Sequence, residues 1–220
     1  MRADFHTHTV LSDGLLLPAA LVYEAAFRGN SAIAITDHVD FSNLEETLSS
    51  ITKFIKEQGP SLPIKVLPGV EISYLAPDLI KKVALKARKL GAKIIIVHGE
   101  SVVEPAVPKG TNHAALQLKG LVDILAHPGK ISEEDTLLAK INKIYLELSA
   151  RRSHSKGNKH VAKMAKQFGA KLLVNTDSHC EHDLINQEQA LQIAKAAGLN
   201  PAEALLAVEK NPAELLKLRK

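Results

Sequence analysis

The chain has no tryptophan and one cysteine, and aromatic residues make up only 4% of its 220 positions. A single cysteine, Cys180, excludes an internal disulfide framework and fits a reducing compartment. Few aromatics argue against a groove that stacks single-stranded bases on ring after ring. No apolar run approaches the ~20 residues of a membrane span. The opening Met1-Arg2-Ala3-Asp4-Phe5-His6 lacks the apolar stretch of a secretory signal. A cytoplasmic protein with no membrane partner is the expectation. Charge of one sign is in small excess: 28 Lys and Arg against 24 Asp and Glu, a net +4. The basic clusters are short (Lys81-Lys82, 86–89, Arg151-Arg152 and 217–220), and none has the length of a nucleic-acid-binding tail. Nucleic acid is therefore not the expected partner, while the mild positive balance suits a small anionic substrate. A Gly-rich phosphate loop or dinucleotide fingerprint is also missing after the first strand candidate.

Hydrophobic residues account for 45% of the chain and charged residues for 24%, as expected of a globular protein with its own core. The length points to one domain over 1–220. A core of this size needs no metal to fold, so a bound metal would serve chemistry. Short β-branched runs alternate with longer segments of helical period. Seven strands are predicted at 2–6, 32–36, 65–67, 93–98, 122–126, 143–148 and 171–175. Near-continuous apolar runs such as Ile94-Ile95-Ile96-Val97 suit strands covered on both faces. The third is cut short by Pro68 and Gly69. Helices are predicted at 18–28, 43–57, 78–90, 112–119, 133–140, 160–168 and 184–197, with two short ones closing the chain. Seven βα units in this length point to a closed or nearly closed α/β barrel, with a doubly wound open sheet as the alternative.

Chemistry in such barrels sits at the C-terminal ends of the strands. There the ten histidines become informative. The first strand runs into His6-Thr7-His8 and then Ser12-Asp13-Gly14, and the second into Thr36-Asp37-His38. The third leads to Glu71, the fourth ends at His98-Gly99-Glu100, and the fifth at His127-Pro128. The sixth leads to Ser149-Ala150-Arg151-Arg152 and the seventh to Thr176-Asp177-Ser178-His179. Every strand but the sixth thus ends in His, Asp or Glu, and the opposite ends show nothing similar. Imidazoles and carboxylates bind divalent metals, and this set exceeds what one ion needs. One bridging carboxylate would hold two ions roughly 3.5–4 Å apart.

These residues resemble the polymerase and histidinol phosphatase (PHP) family over nearly the whole chain. His6-Thr7-His8-Thr9-Val10-Leu11-Ser12-Asp13-Gly14, Thr36-Asp37-His38, Ala126-His127-Pro128 and Thr176-Asp177-Ser178-His179 match its motifs in order, and Glu71 and His98 match two further positions. The resemblance implies a distorted TIM-like (β/α)7 barrel holding two or three divalent ions (Zn, Mn or Fe). It implies His6, His8, Glu71 and Asp177 around the first ion. Glu71, His98 and His127 would hold the second, with Glu71 bridging, and Asp13, His38 and His179 the third. Asp13 departs from relatives with histidine there. Two stretches, 104–112 and 147–154, look like segments of relatives similar to histidinol phosphatase.

The expected activity is hydrolysis of a small phosphomonoester, histidinol phosphate being the substrate the resemblance suggests, with a metal-activated hydroxide as the attacking group. Arg151 would neutralise the phosphoryl oxygens. His154 would protonate the leaving group or orient substrate, or else flank the helix near Lys159. Asp37 would orient an imidazole or anchor a loop. His113, His160, His182 and Cys180 are expected outside the site. The alternatives are a nuclease acting on phosphodiesters, a metal-binding regulatory module without catalysis, and a C–N hydrolase of the amidohydrolase type.

Overall fold

The computed structural model describes residues 2–219. Parallel strands β1 (Arg2–Asp4), β2 (Asn30–Ile35), β3 (His38–Val39), β4 (Lys65–Ile72), β5 (Ile94–His98), β6 (Ile124–Ala126), β7 (Tyr145–Ser149) and β8 (Leu172–Asn175) alternate with helices. The sheet order is β1-β2-β4-β5-β6-β7-β8, with the two-residue β3 added against β4. The helices are α1 (Pro18–Phe27), α2 (Leu44–Gln58), α3 (Pro77–Lys89), α4 (Thr111–Leu116), α5 (Glu133–Asn142), α6 (Asn158–Phe168), α7 (Gln187–Ala196), α8 (Pro201–Leu205) and α9 (Asn211–Leu218).

The ends of the sheet meet, so the open-sheet alternative falls. Closure is made largely by side chains. Asp4 Oδ1 accepts from the backbone N–H of His6 and of Thr176. Asn175 Oδ1 accepts from Phe5 N at 3.1 Å, and Arg2 donates to Val174 O. Just beyond the strands, His8 N donates to Ser178 O at 2.8 Å and Asp177 N to His6 O at 2.9 Å. These last bonds hold the first and last strand ends side by side, which brings their histidines and aspartate together.

Alternation along β5 explains the two apolar layers. Ile94 and Ile96 point into the barrel with Ala3, Phe5, Ala32, Ala34, Ile124 and Leu173, where α9 inserts Leu215. Ile95 and Val97 point out to the helices, against Val83, Ala84 and Leu116. Successive strand residues face opposite sides, so such a strand must be apolar throughout. A fully buried Ile contributes roughly 1.5–3 kcal/mol.

The third predicted strand is longer than expected. It continues through Pro68 and Gly69 to Ile72. The break read into Pro-Gly does not occur because β4 changes partner there: Lys65 to Pro68 pair with β2, and Glu71 and Ile72 with β3. Proline's missing N–H falls at that hand-over, while its carbonyl still accepts from Lys93 N. Gly69 is required by space, since a Cβ would lie 2.7 Å from Thr36 Cγ2 and 2.8 Å from Ile94 O. Glu71 therefore stands in the strand, not in a following loop. The first strand ends sooner than expected, at Asp4, leaving His6 and His8 on the closing segment. Helix α7 begins at Gln187, three residues later than expected, because Asn186 caps it through Gln189 N.

Candidate metal centre

Eight of the nine predicted ligands meet in one cluster at the C-terminal rim of the barrel. His6 Nε2 lies 3.2 Å from Glu71 Oε2 and 3.6 Å from Asp177 Oδ1. His8 Nε2 lies 3.5 and 3.3 Å from the same two oxygens. Asp13, His38 and His179 gather beside them with His8: Asp13 Oδ2 is 3.1 Å from His179 Nε2, and Asp13 Oδ1 is 3.8 Å from His38 Nε2. His127 Nε2 sits 3.8 Å from Glu71 Oε1. Glu71, wholly buried, stands between these groups. The ninth, His98, lies within ring contact of His127 at 4.5 Å, but its Nε2 is 2.7 Å from Glu104 Oε2.

The residues fit divalent ions, as their unpartnered atoms show. His6 Nε2, both nitrogens of His8, His127 Nδ1 and both oxygens of Glu71 are buried and make no hydrogen bond. A buried polar atom left unsatisfied costs about 1–3 kcal/mol, so a cluster of them demands a partner. Imidazole nitrogens and carboxylate oxygens are what such cations take. Two of the donors also sit on left-handed backbone, His127 at φ 25° and Asp177 at φ 53°. Strain of this kind persists only where surrounding structure enforces it, and it gathers at functional sites.

The electrostatics reflect closely packed, buried charge. Burial works against protonation of His6, but Glu147, Glu71 and Asp177 outweigh it and hold this imidazole well above its usual value. Burial, with His38 beside it, pushes His8 well below. His127 is likewise pushed far down by burial and by His98 and His154. Burial raises Asp177 to about 7, with Glu71 and Glu147 adding and His6 opposing. Despite its burial, Glu71 is held well below the carboxylate range by His6 and His38. A bound cation would reverse most of these trends, because its own charge would dominate.

Besides the nine, three residues face the cluster: Glu147 and Glu104, which the sequence alone did not single out, and His154, which it did. Glu147, completely buried on β7, accepts from His6 Nδ1 at 2.9 Å, which aims Nε2 at Glu71 and Asp177. An acid in the middle of an otherwise apolar strand was the signal for it. Glu104 sits on the loop after β5, where no periodicity marks it. His154 lies in a 3-10 turn, His154–Gly157, and faces the cluster. Its Nδ1 is 2.8 Å from Ser101 Oγ and its Nε2 is 3.7 Å from Asp177 Oδ2.

Arg151 reaches the cluster: Nη1 donates to Asp177 O at 3.2 Å and touches His179 Nδ1, whereas Arg152 is exposed. Asp37 orients no imidazole. It accepts from Thr9 N, Thr9 Oγ1 and Ser12 Oγ, tying down the loop that carries Asp13. Glu100 and Asn112 brace each other across a loop. His113 pairs with Asp135, His160 bonds to Ile131 O, and His182 is exposed. Cys180 contacts Asp183. Above the cluster opens a cleft of about 370 Å3 lined by Asp13, His38, Tyr74, Glu104, Arg151 and His154 among others. No helix among the described residues is long and apolar enough to cross a membrane.

The PHP domain model matches residues 4–171. An uncharacterized protein of Methanocaldococcus jannaschii is 46% identical over 219 residues, 99% of each chain. A probable phosphatase of Thermoanaerobacter sp. (strain X514) is 28% identical, covering 89% of this chain and 86% of its own. Ribonuclease P protein component 3 of Methanosarcina mazei is 27% identical over 97% of this chain and 88% of its own. The fold is shared with a chain in the cryo-EM structure of archaeal ribonuclease P with mature tRNA. That match has a TM-score of 0.73 and 18% identity, over 98% of this chain and 90% of the other. Matched by the family model over most of its length, and by the motifs that supply the clustered side chains, the chain belongs to the PHP domain family.

Proposed function

We propose that this chain is a metal-dependent phosphoesterase acting on a small phosphomonoester, with histidinol phosphate the first substrate to test. One observation carries the reading: buried imidazoles and carboxylates from separate strand ends converge, unpartnered, on the floor of an open cleft with a guanidinium in its wall. Two or three divalent ions held there (Zn, Mn or Fe) would supply Lewis acidity and a nucleophile usable at neutral pH.

The protein's own groups do the rest. Arg151, about a third exposed and beside Asp177, can turn its fork to phosphoryl oxygens and offset charge that grows in the transition state. A cleft of about 370 Å3 with Arg151 in its lining suits a monoester with a small organic group. His154 is a poor proton donor. Burial drives its imidazole down to about 4, with Glu104 opposing and His98 and Arg151 adding. It is therefore neutral near pH 7 and serves as an acceptor or ligand. Asp37 keeps Asp13 on the rim through its three bonds to the 9–12 segment.

A second reading is favoured by the likeness to ribonuclease P protein component 3, which extends over nearly the full chain. It would make this chain an RNA-associated protein or a nuclease. A phosphate-release screen over small monoesters, with Mn, Zn, Fe and Co supplied in turn, separates the two. Metal-dependent release of phosphate from one monoester class supports the proposal. Inertness toward every monoester, with nucleotides released from labelled oligonucleotides, supports the nuclease. Inertness toward both, with retained RNA binding, supports the RNA-associated role.

A further inference from the structure

Beyond the residues the family motifs supply, one loop brings a further carboxylate to the cluster. The segment 99–110 leaves β5 and returns to α4 with its ends clamped together. Glu100 Oε1 accepts from Gly110 N and Asn112 N, both at 3.0 Å. Asn112 Oδ1 accepts from Glu100 N at 2.9 Å, and its Nδ2 donates to Pro128 O. A loop closed this way is a compact platform. It presents two side chains inward. Ser101 Oγ holds His154 Nδ1 at 2.8 Å, which leaves His154 Nε2 facing the cluster. Glu104 places Oε2 2.7 Å from His98 Nε2 and Oε1 3.7 Å from His154 Nε2. Glu104 Oε2 is buried, and despite its closeness to His98 it lacks the alignment of a hydrogen bond. Behind them the His127 and His154 rings stack at 4.0 Å and 18°, and His154 Nε2 is 3.7 Å from Asp177 Oδ2.

Resting on the metal-dependent reading above, we propose that Glu104 and His154 are additional metal ligands at a cation position on the side of the cluster nearest the 99–110 loop, where the donor atoms of His154 already gather with those of His127 and Asp177. Two imidazole nitrogens and two carboxylates are a fitting donor set for a borderline divalent ion. Ser101 is then a positioning residue, since it fixes which nitrogen of His154 faces the ion. A plain Glu104–His98 ion pair that merely anchors the loop would leave His154 Nε2 without a purpose.

The test is a Co(II) titration of the metal-free full chain, read by the visible absorption of bound cobalt and by competition with a chelator. Wild type is compared with E104Q, H154A and S101A, and the melting temperature of each metal-free variant is recorded. The expected result is that E104Q and H154A lose the same binding step, or weaken it tenfold or more, while the other steps are kept. S101A weakens that step by a smaller factor. E104Q titrating like wild type, with an unchanged melting temperature, overturns the assignment. Should H154A fail to fold, the E104Q and S101A titrations decide alone. Wild type taking up less than one ion per chain would instead defeat the metal-dependent reading itself, which separates the two failures.

Discussion

Replacing Glu147 tests how the barrel aims its ligands. This carboxylate is fully buried and lies 2.9 Å from His6 Nδ1. It fixes the ring so that Nε2 points at Glu71 and Asp177, 3.2 and 3.6 Å away. It also makes the imidazole a stronger base. Removing such an outer partner of a metal-bound histidine costs about 10- to 100-fold in metal affinity, or about 1.4–2.8 kcal/mol. Glu147→Gln keeps an oxygen that can accept from Nδ1–H and loses only the charge, so the loss is expected near the tenfold end. Glu147→Ala also loses the orientation and is expected near the hundredfold end. Isothermal titration of the metal-free protein with Mn(II) or Zn(II) measures both, with a parallel melting curve to recognise a general loss of fold. Equal affinities in wild type and both variants, with melting unchanged, would refute the idea that Glu147 orients a ligand.

Arg151→Ala is expected to lower kcat/KM by about 10- to 100-fold, the worth of a hydrogen bond between charged groups, with metal content unchanged. Steady-state assays on the best monoester from the screen check it. Gly69→Ala drives a Cβ to within 2.8 Å of Thr36 and the Ile94 carbonyl, and should destabilise the chain by about 1–3 kcal/mol in urea unfolding. Metal affinity should fall as pH drops through about 7, where Asp177 takes up a proton, because only the ionised carboxylate and neutral imidazoles bind. Titrations in buffers of different ionisation enthalpy should show proton release on metal uptake near pH 6.5. In the metal-free chain, the folded state binds protons more tightly than the unfolded one at Asp177 and His6. Their contribution is present at low pH and lost as pH rises through the folded values. Asp177's share is therefore spent by about pH 7, and the decline of metal-free stability above that pH is His6's alone of the two, once the depressed His8, His127 and His154 are neutral in both states.

The strand ends were legible because buried parallel strands are written as unbroken apolar runs. In such runs a His, Asp or Glu at the C-terminal end is conspicuous. Ile94 to Val97 followed by His98 is the plainest example. What escaped were features set by contacts distant in sequence. Pro68-Gly69 looks like a turn locally, and only the exchange of neighbours from β2 to β3 makes it the middle of a strand. Strand β3 is too short to carry a period. His154 had two readings from sequence, site residue or helix flank, and it is the bond from Ser101, more than fifty positions away, that turns it toward the cluster. Glu104 sits in a loop whose shape depends on Glu100 meeting Gly110 and Asn112, a pairing that no local pattern announces. Asp37 had two readings from sequence, and its bonds to Thr9 and Ser12 select the loop anchor.

The most direct measurement is the metal content of the whole chain after expression in metal-supplemented medium, by elemental analysis, with anomalous diffraction to locate the ions. The expected result is two or more divalent ions per chain, at His6, His8, Glu71 and Asp177 and on either side of them. Well under one ion per chain, or ions bound away from these residues, would contradict the reading on which the chemistry depends.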